Sequence, residues 1–378
     1  MPKVISEAEK VACAAKTFQS DISRRSLLIM GAAAAAATAL PARRAMAQDT
    51  GKVTILTWET YHDDPWVAAF TERTGTEVQV IRAGSVDEMY ATTRSGAIKP
   101  DLVYFDTGSI PRYLAADLIE PIDPSNIENL ENILPTLNWQ EFNKFGDGVY
   151  GIPYQWGTQP LMYNADKMEK PTSWAALWDE AHAGKVSTFD DAYVNLPMVA
   201  LYAGVADPYN LDDAGFEAVR EALRRLRPQI RTISRGYDDM ANIFMSGDAD
   251  IAYCQNIAIS HTLRERGKNV QVTYPEEGTP AWVDNAVLTK GANRPEVYAF
   301  ISEGLTKSWQ AKLIGNGGNG ILSEADALEN GAPEDVVAKT EIASANDPGF
   351  WQKMSVLQTP EDFDRRLALW NDFKAGVL

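Results

Sequence analysis

Trp282 and Asp284 stand two residues apart in the run Trp282-Val283-Asp284-Asn285, just after the turn-forming stretch Tyr274-Pro275-Glu276-Glu277-Gly278-Thr279-Pro280. Residues i and i+2 of a strand share a face. If residues 282–288 form a strand, an indole plane and a carboxylate point the same way. An aromatic face attracts a cation through its quadrupole, and a carboxylate neutralises it with a charge-assisted hydrogen bond. The pair therefore suits an organic cation. A core Trp beside a turn-capping Asp would leave the same local pattern, so the rest of the chain has to decide.

Other reactive residue types offer less. The three histidines, His62, His182 and His261, are far apart and lack the spacing of a metal site. No nucleophile-elbow pattern is present. Gly315-Asn316-Gly317-Gly318-Asn319-Gly320 matches the glycine spacing of dinucleotide sites. That mechanism needs a strand before the glycines, and here a helical pattern precedes them. The run is expected to stop a helix and make a tight turn. Cys254, in the apolar run Ile251-Ala252-Tyr253-Cys254, is expected to be a small buried hydrophobe. Asp190 and Asp191 follow a predicted strand, and one of them is expected to face a crevice. No catalytic residue, cofactor or metal is assigned.

The elements that must position these groups follow a clear rhythm. Residues 53–58 form a β-branched strand, 66–74 a helix, 77–82 a strand, 86–95 a helix and 101–105 a strand; Pro111 opens the next helix. Alternation of this kind gives a mostly parallel sheet. Ligands of such sheets bind beyond the carboxyl ends of the strands. Trp58, Glu59, Tyr61 and Asp106 fall at those ends. Residues 151–163 read as a strand passing into a second lobe, which has strands at 184–189, 250–254 and 270–274. Gln255 lies just past the second of these. The chain crosses back at residues 282–284. One amphipathic helix is expected over 295–314.

The chain has 378 residues and a formal net charge of -17. That length allows two lobes with their own cores. The acidic balance argues against nucleic acid, whose phosphates need clustered Lys and Arg. At the start, Ser23-Arg24-Arg25-Ser26-Leu27-Leu28 is a twin-arginine pattern. A short apolar run and Ala45-Met46-Ala47 follow. Together they predict a twin-arginine export signal over residues 1–47 and a periplasmic destination. Losing its seven basic and three acidic residues moves the net charge from -17 to -21. Cys13 would leave with the signal, so no intrachain disulfide is expected.

The exported start, Trp58 and Tyr61, the crossing stretch Gly151-Ile152-Pro153-Tyr154-Gln155-Trp156-Gly157, Asp190-Asp191-Ala192 and Trp282-x-Asp284 occur in one order. Over roughly residues 52–376 the chain resembles the periplasmic spermidine/putrescine-binding proteins of ABC transporters. The resemblance implies an α/β, two-lobed type II periplasmic binding protein fold with mostly parallel sheets and crossover hinge strands. It places residues 48–157 and 284–322 in the first lobe and 158–283 and 323–378 in the second. It also implies a monomeric, non-enzymatic carrier that delivers a polyamine or related organic cation to an inner-membrane ABC permease. Trp58, Tyr61, Asp191, Trp282 and Asp284 fall on the family's ligand positions. Val194 stands where a further acid is usual, Gln255 where a Trp is common, and Asp106-Thr107-Gly108 where Ser-Thr-Tyr is expected. One acid is lost and Asp106 is a candidate to supply another. Two aromatic walls are expected to be thinner. Gln352 and Gln358 compete for one polar position. Alternatives are the same fold binding an amino-carboxylate, a phosphonate or a metal, or a secreted hydrolase.

Overall fold

The computed structural model describes residues 51–59, 61–360 and 362–378. The predicted export signal over 1–47 lies outside these residues. Two mixed sheets carry the chain. The first contains β1 (Lys52–Thr57), β2 (Glu77–Arg82), β3 (Leu102–Asp106) and β4 (Ile152–Thr158). The second contains β5 (Leu161–Asn164), β6 (Val186–Phe189), β7 (Ile230–Ser234), β8 (Ile251–Tyr253) and β9 (Val270–Thr273). The chain then returns to the first sheet through β10 (Thr279–Leu288) and β11 (Met354–Val356).

Each sheet has a parallel nucleus and antiparallel crossing strands. In the first, β1 runs parallel to β2 and β3, while β10 runs antiparallel to β3 and β4. In the second, β6 runs parallel to β7 and β8, while β5 runs antiparallel to β8 and β9. The fold is the expected two-lobed α/β type. Every residue of β3 and β6 is buried, as strands covered by helices on both faces require. Only Gln159 and Pro160 separate β4 from β5, so the first crossing is almost continuous strand.

Helices α1 (Asp64–Thr74), α2 (Val86–Ser95) and α3 (Ile110–Ala115) flank the first sheet. In the second lobe, α4 (Ala192–Tyr202) is apolar nearly all round and correspondingly buried. It is followed by α5 (Asp213–Leu226), α6 (Tyr237–Ser246) and α7 (Ala258–Glu265). The single helix expected over 295–314 is two, α8 (Pro295–Gly304) and α9 (Lys307–Gly315). Thr306 breaks it: its side chain caps α9 by accepting from the Trp309 N–H at 3.2 Å, a competition typical of Thr.

The expected boundary after residue 322 needs correction. Ala327, Ala332, Val337, Ile342 and Ala345 join the first lobe's core with Ile55, Tyr104 and Trp156. From Leu357 onward the chain packs on the second lobe, chiefly the last helix, α10 (Phe363–Ala375), through Leu369, Trp370 and Phe373. The buried Arg366 fastens it there, donating to Asp362 at 2.7 Å and to the Pro208 and Tyr209 carbonyls at 2.8 and 2.9 Å. Asp190 adds contacts to Trp370 (2.9 Å) and Lys374 (2.7 Å).

Both crossings are tied to the first lobe by the buried carboxylate of Glu341. It accepts from the hydroxyl and amide of Thr158 at the end of β4, from the Tyr274 hydroxyl (2.6 Å) just past β9, and from Asn319 Nδ2 (2.9 Å). Truncating this group strands several buried donors, each costing about 1–3 kcal/mol. Glu341→Ala is expected to lose at least about 2 kcal/mol of unfolding free energy in urea titration, and Glu341→Gln distinctly less. Equal midpoints for the wild type and Glu341→Ala would count against this role.

Candidate functional site

The carboxyl ends of the first sheet face the second lobe across a cavity of about 320 Å3. Trp58, Tyr61, Asp106, Gln155, Trp282 and Asp284 line it from the first lobe and the crossing strands. Tyr193, Tyr237, Gln255 and Asn256 line it from the second, with Gln159 and Leu357 at the hinge. It adjoins an outer cavity of about 920 Å3 that shares Trp58, Asp106, Tyr193, Tyr237 and Gln255 and adds Asp87, Arg112, Asp191 and Asp364.

The centre is a pair of acids. Asp284 on β10 lies directly opposite Asp106 at the end of antiparallel β3. Facing residues of such a pair project to the same side, and like charges there repel. Asp284 is 5% exposed and Asp106 6% exposed. The local backbone is fixed from behind by Thr107, Asn143 and Asn285. Thr107 Oγ1 donates to Asn143 Oδ1 at 2.9 Å, Asn143 Nδ2 to Asn285 Oδ1 at 2.7 Å, and Asn285 Nδ2 back to Thr107 Oγ1 at 3.1 Å. Fully paired buried networks of this kind hold one arrangement.

Each acid has neutral donors. The Tyr61 hydroxyl donates to Asp284. Tyr61 is itself held by the Tyr154 hydroxyl, which donates to its carbonyl at 2.7 Å and accepts from Trp309 Nε1 at 2.6 Å. Asp106 accepts from Ser109 Oγ and Tyr193 Oη, both at 2.8 Å. Burial pushes the Asp284 carboxyl up to about 8, and the Asp106 charge adds to the rise; Tyr61 and the nearby Trp58 indole oppose it. Trp58 Nε1 is buried close by without reaching hydrogen-bond geometry to any partner. Burial also raises Asp106, against the pull of Ser109 and Tyr193.

Asp191 lines the outer cavity and caps α4, accepting from the Tyr193 N–H at 2.8 Å. Burial pushes it up to about 6. Trp282 lies over Gly157 of β4, its partner in the ladder; a Cβ at 157 would sit 2.4 Å from the indole Cζ2. Among the described residues no Lys, Arg or His lines the inner cavity. Arg112 reaches the outer one, but it pairs with Asp87 at 2.5 Å and lies over the Tyr90 ring at 3.9 Å.

The expected residues Trp58, Tyr61, Asp106, Gln255, Trp282 and Asp284 thus converge on one cavity, with Asp191 at its outer extension. Glu59 does not join them. Its side chain is 75% exposed and lies 3.9 Å from Arg82, because the turn after β1 brings Trp58 inward and sends its neighbour to solvent. Neither Gln352 nor Gln358 lines the two cavities; Leu357 and Thr359 do. Nor are the aromatic walls as thin as expected. Tyr193 and Tyr237, each near the start of a helix, supply rings that sequence periodicity did not mark. Gln155, Gln159 and Asn256 were missed as well. Cys254 is free and buried, with its thiol pushed up to about 12 by burial. Among the described residues no cluster suited to a metal ion and no membrane-spanning helix occurs.

Residues 65–343 match the family model described as bacterial extracellular solute-binding protein. The chain belongs to this family. The spermidine/putrescine-binding periplasmic protein of Escherichia coli (strain K12) is 29% identical over 268 residues, covering 70% of this chain and 75% of that protein. The putrescine-binding periplasmic protein PotF of the same organism is 25% identical over 324 residues, covering 78% and 86%. Among solved structures, the spermidine/putrescine ABC transporter substrate-binding protein PotD from Streptococcus pneumoniae superposes with a TM-score of 0.71 at 26% identity. That match covers 87% of this chain and 100% of PotD. These relatives are binding proteins, and the solute-binding family is the frame in which the acids must be understood.

The acid pair makes a thermodynamic prediction for the ligand-free protein. Asp284 titrates near 8 when folded, against about 4 unfolded, so the folded state holds the extra proton between those values. Its contribution to stability is complete below about pH 4 and is lost as pH rises through 8. The thermal midpoint of the ligand-free protein is expected to fall across that window, and Asp284→Asn to flatten the decline. An unchanged slope in Asp284→Asn would assign the effect elsewhere.

Proposed function

We propose that this protein captures a polyamine or related organic cation in the periplasm and delivers it to an inner-membrane ABC permease. The observation that carries this reading is the buried Asp284–Asp106 pair, walled by Trp58, Trp282, Tyr61, Tyr193 and Tyr237 and faced, among the described residues, by no basic side chain in the inner cavity. An ammonium group entering there removes the repulsion between the acids and places its methylenes against rings. Asp191, which lines the outer extension, would meet a second positive group. The names of the E. coli and S. pneumoniae relatives support the same solute class. Closure of two lobes over the solute would present a new surface to the permease.

Two details of delivery belong to the same proposal. We infer export by the twin-arginine route, supported by Arg24-Arg25 and by a folded region whose only cysteine is free and buried, so that folding needs no oxidant. We also infer that the protein acts as a monomer, as a two-lobed clamp requires no second copy.

Competing readings have less support. An anion would need a basic group, and Arg112 is already paired with Asp87. A hydrolase would need a base beside a nucleophile. His62 is buried behind the site, bonded to Thr57 Oγ1 at 3.0 Å and pushed down to about 3 by burial. His182 and His261 line neither cavity.

Calorimetry with putrescine, spermidine, agmatine, γ-aminobutyrate and aminoethylphosphonate tests the reading. Amines are expected to bind and the phosphonate to fail. Asp284→Asn and Asp191→Ala should each weaken amine binding by at least about 1.5 kcal/mol, the loss of a buried charged partner. Binding requires the ionised pair, so affinity should rise from pH 6 to 8 and a proton should be released. Heat only from the anionic compound, or full affinity in both variants, would sink the proposal.

A further inference from the structure

Tyr193 belongs to the second lobe, in the first turn of α4, and its ring packs against that lobe's core. Asp106 ends β3 in the first lobe. The 2.8 Å hydrogen bond from Tyr193 Oη to Asp106 Oδ1 therefore spans the two lobes. The approach is possible only because residue 108 has no side chain. A Cβ there would lie 2.0 Å from Tyr193 Oη, 2.9 Å from Asp106 Oδ1 and 2.9 Å from the backbone of Gln358. Gly108 has no positive φ, so the demand is for space and not for an unusual backbone.

The third connection between the lobes docks at the same spot. Thr359 donates to the Gly108 carbonyl through its amide at 3.1 Å and also through its hydroxyl. The turn 106–108 is thus the meeting point of the first lobe, a side chain from the second and the segment leading to α10. The bond is charge-assisted when Asp106 is ionised, the stronger kind, and sits where little water competes.

We propose that Tyr193 is a cross-cleft latch. Its hydroxyl holds the two lobes together and orients the Asp106 carboxylate, and Gly108 provides the clearance that lets it engage. The latch itself needs no assumption about the solute; its effect on affinity rests on the proposed organic-cation reading. Because the bond favours the closed arrangement, its loss costs a solute part of its binding energy. Tyr193 acts here as a positioning residue, through Asp106.

The test uses paired spin labels, one on each lobe, to measure the distance distribution in the full chain without ligand. Tyr193→Phe keeps the ring and removes the bond, while Gly108→Ala blocks the hydroxyl from a position that lines neither front cavity. Both are expected to shift the ligand-free distribution to longer distances. Putrescine affinity should fall about threefold to tenfold, chiefly through faster release. Unchanged distributions in both variants overturn the latch, as does expansion in Gly108→Ala alone. Expansion in Tyr193→Phe alone overturns the clearance assigned to Gly108. If the wild type binds no amine at all, the solute proposal fails, while the ligand-free distances still decide the latch.

Discussion

Two carboxylates buried side by side without a counter-charge are the constraint on which the rest of this molecule turns. Both are largely shielded from solvent, and each raises the cost of ionising the other. A protein keeps such an arrangement only if the surrounding structure over-determines it. Here the determination is visible. Antiparallel pairing of β3 with β10 sets the acids opposite each other, and the Thr107–Asn143–Asn285 network fixes the backbone behind them. Tyr61 and Ser109 supply neutral donors that soften the repulsion without cancelling it. What is left is a deficit of positive charge at one place.

The two-lobed architecture follows from the need to keep that place accessible and then dry. The inner cavity draws on both lobes, so neither sheet alone could enclose it. Two of the crossings are largely strand: β4 runs into β5 after two residues, and β10, entered after the turn at 274–278, forms the spine of the first sheet. Their freedom is further restrained by Glu341, which reaches both from below. The chain passes between the lobes near Gln159, Pro275 and Leu357. The site residues are carried on strand ends and helix starts, which fix their local geometry.

Much of this was legible in the sequence. The alternation of period two in residues 282–288 put Trp282 and Asp284 on one face, and both line the cavity. The strand–helix rhythm located Trp58, Tyr61 and Asp106 at strand ends. The pairing that places Asp106 against Asp284 was not legible, because it depends on which distant strand lies beside β10. Periodicity also failed where strands end: it could not tell that Trp58 turns in while Glu59 turns out to Arg82. Tyr193 and Tyr237 lie at helix starts and line the cavity from there, and no spacing rule marks them. The long helix was over-read because its apolar pattern continues across Thr306, whose capping bond is a local event. The segment near 327–345 was misassigned because its lobe is decided by which core its apolar residues join, not by its own composition.

Gly157 carries a consequence of a different kind. The flat face of Trp282 rests where that residue has no side chain, on a strand paired behind it. A methyl group added there would displace the indole although it would never meet the solute. The calibre of the chamber is therefore adjustable from its rear wall. Descendants of this chain could drift between guests of different girth while every residue that touches the guest stays the same.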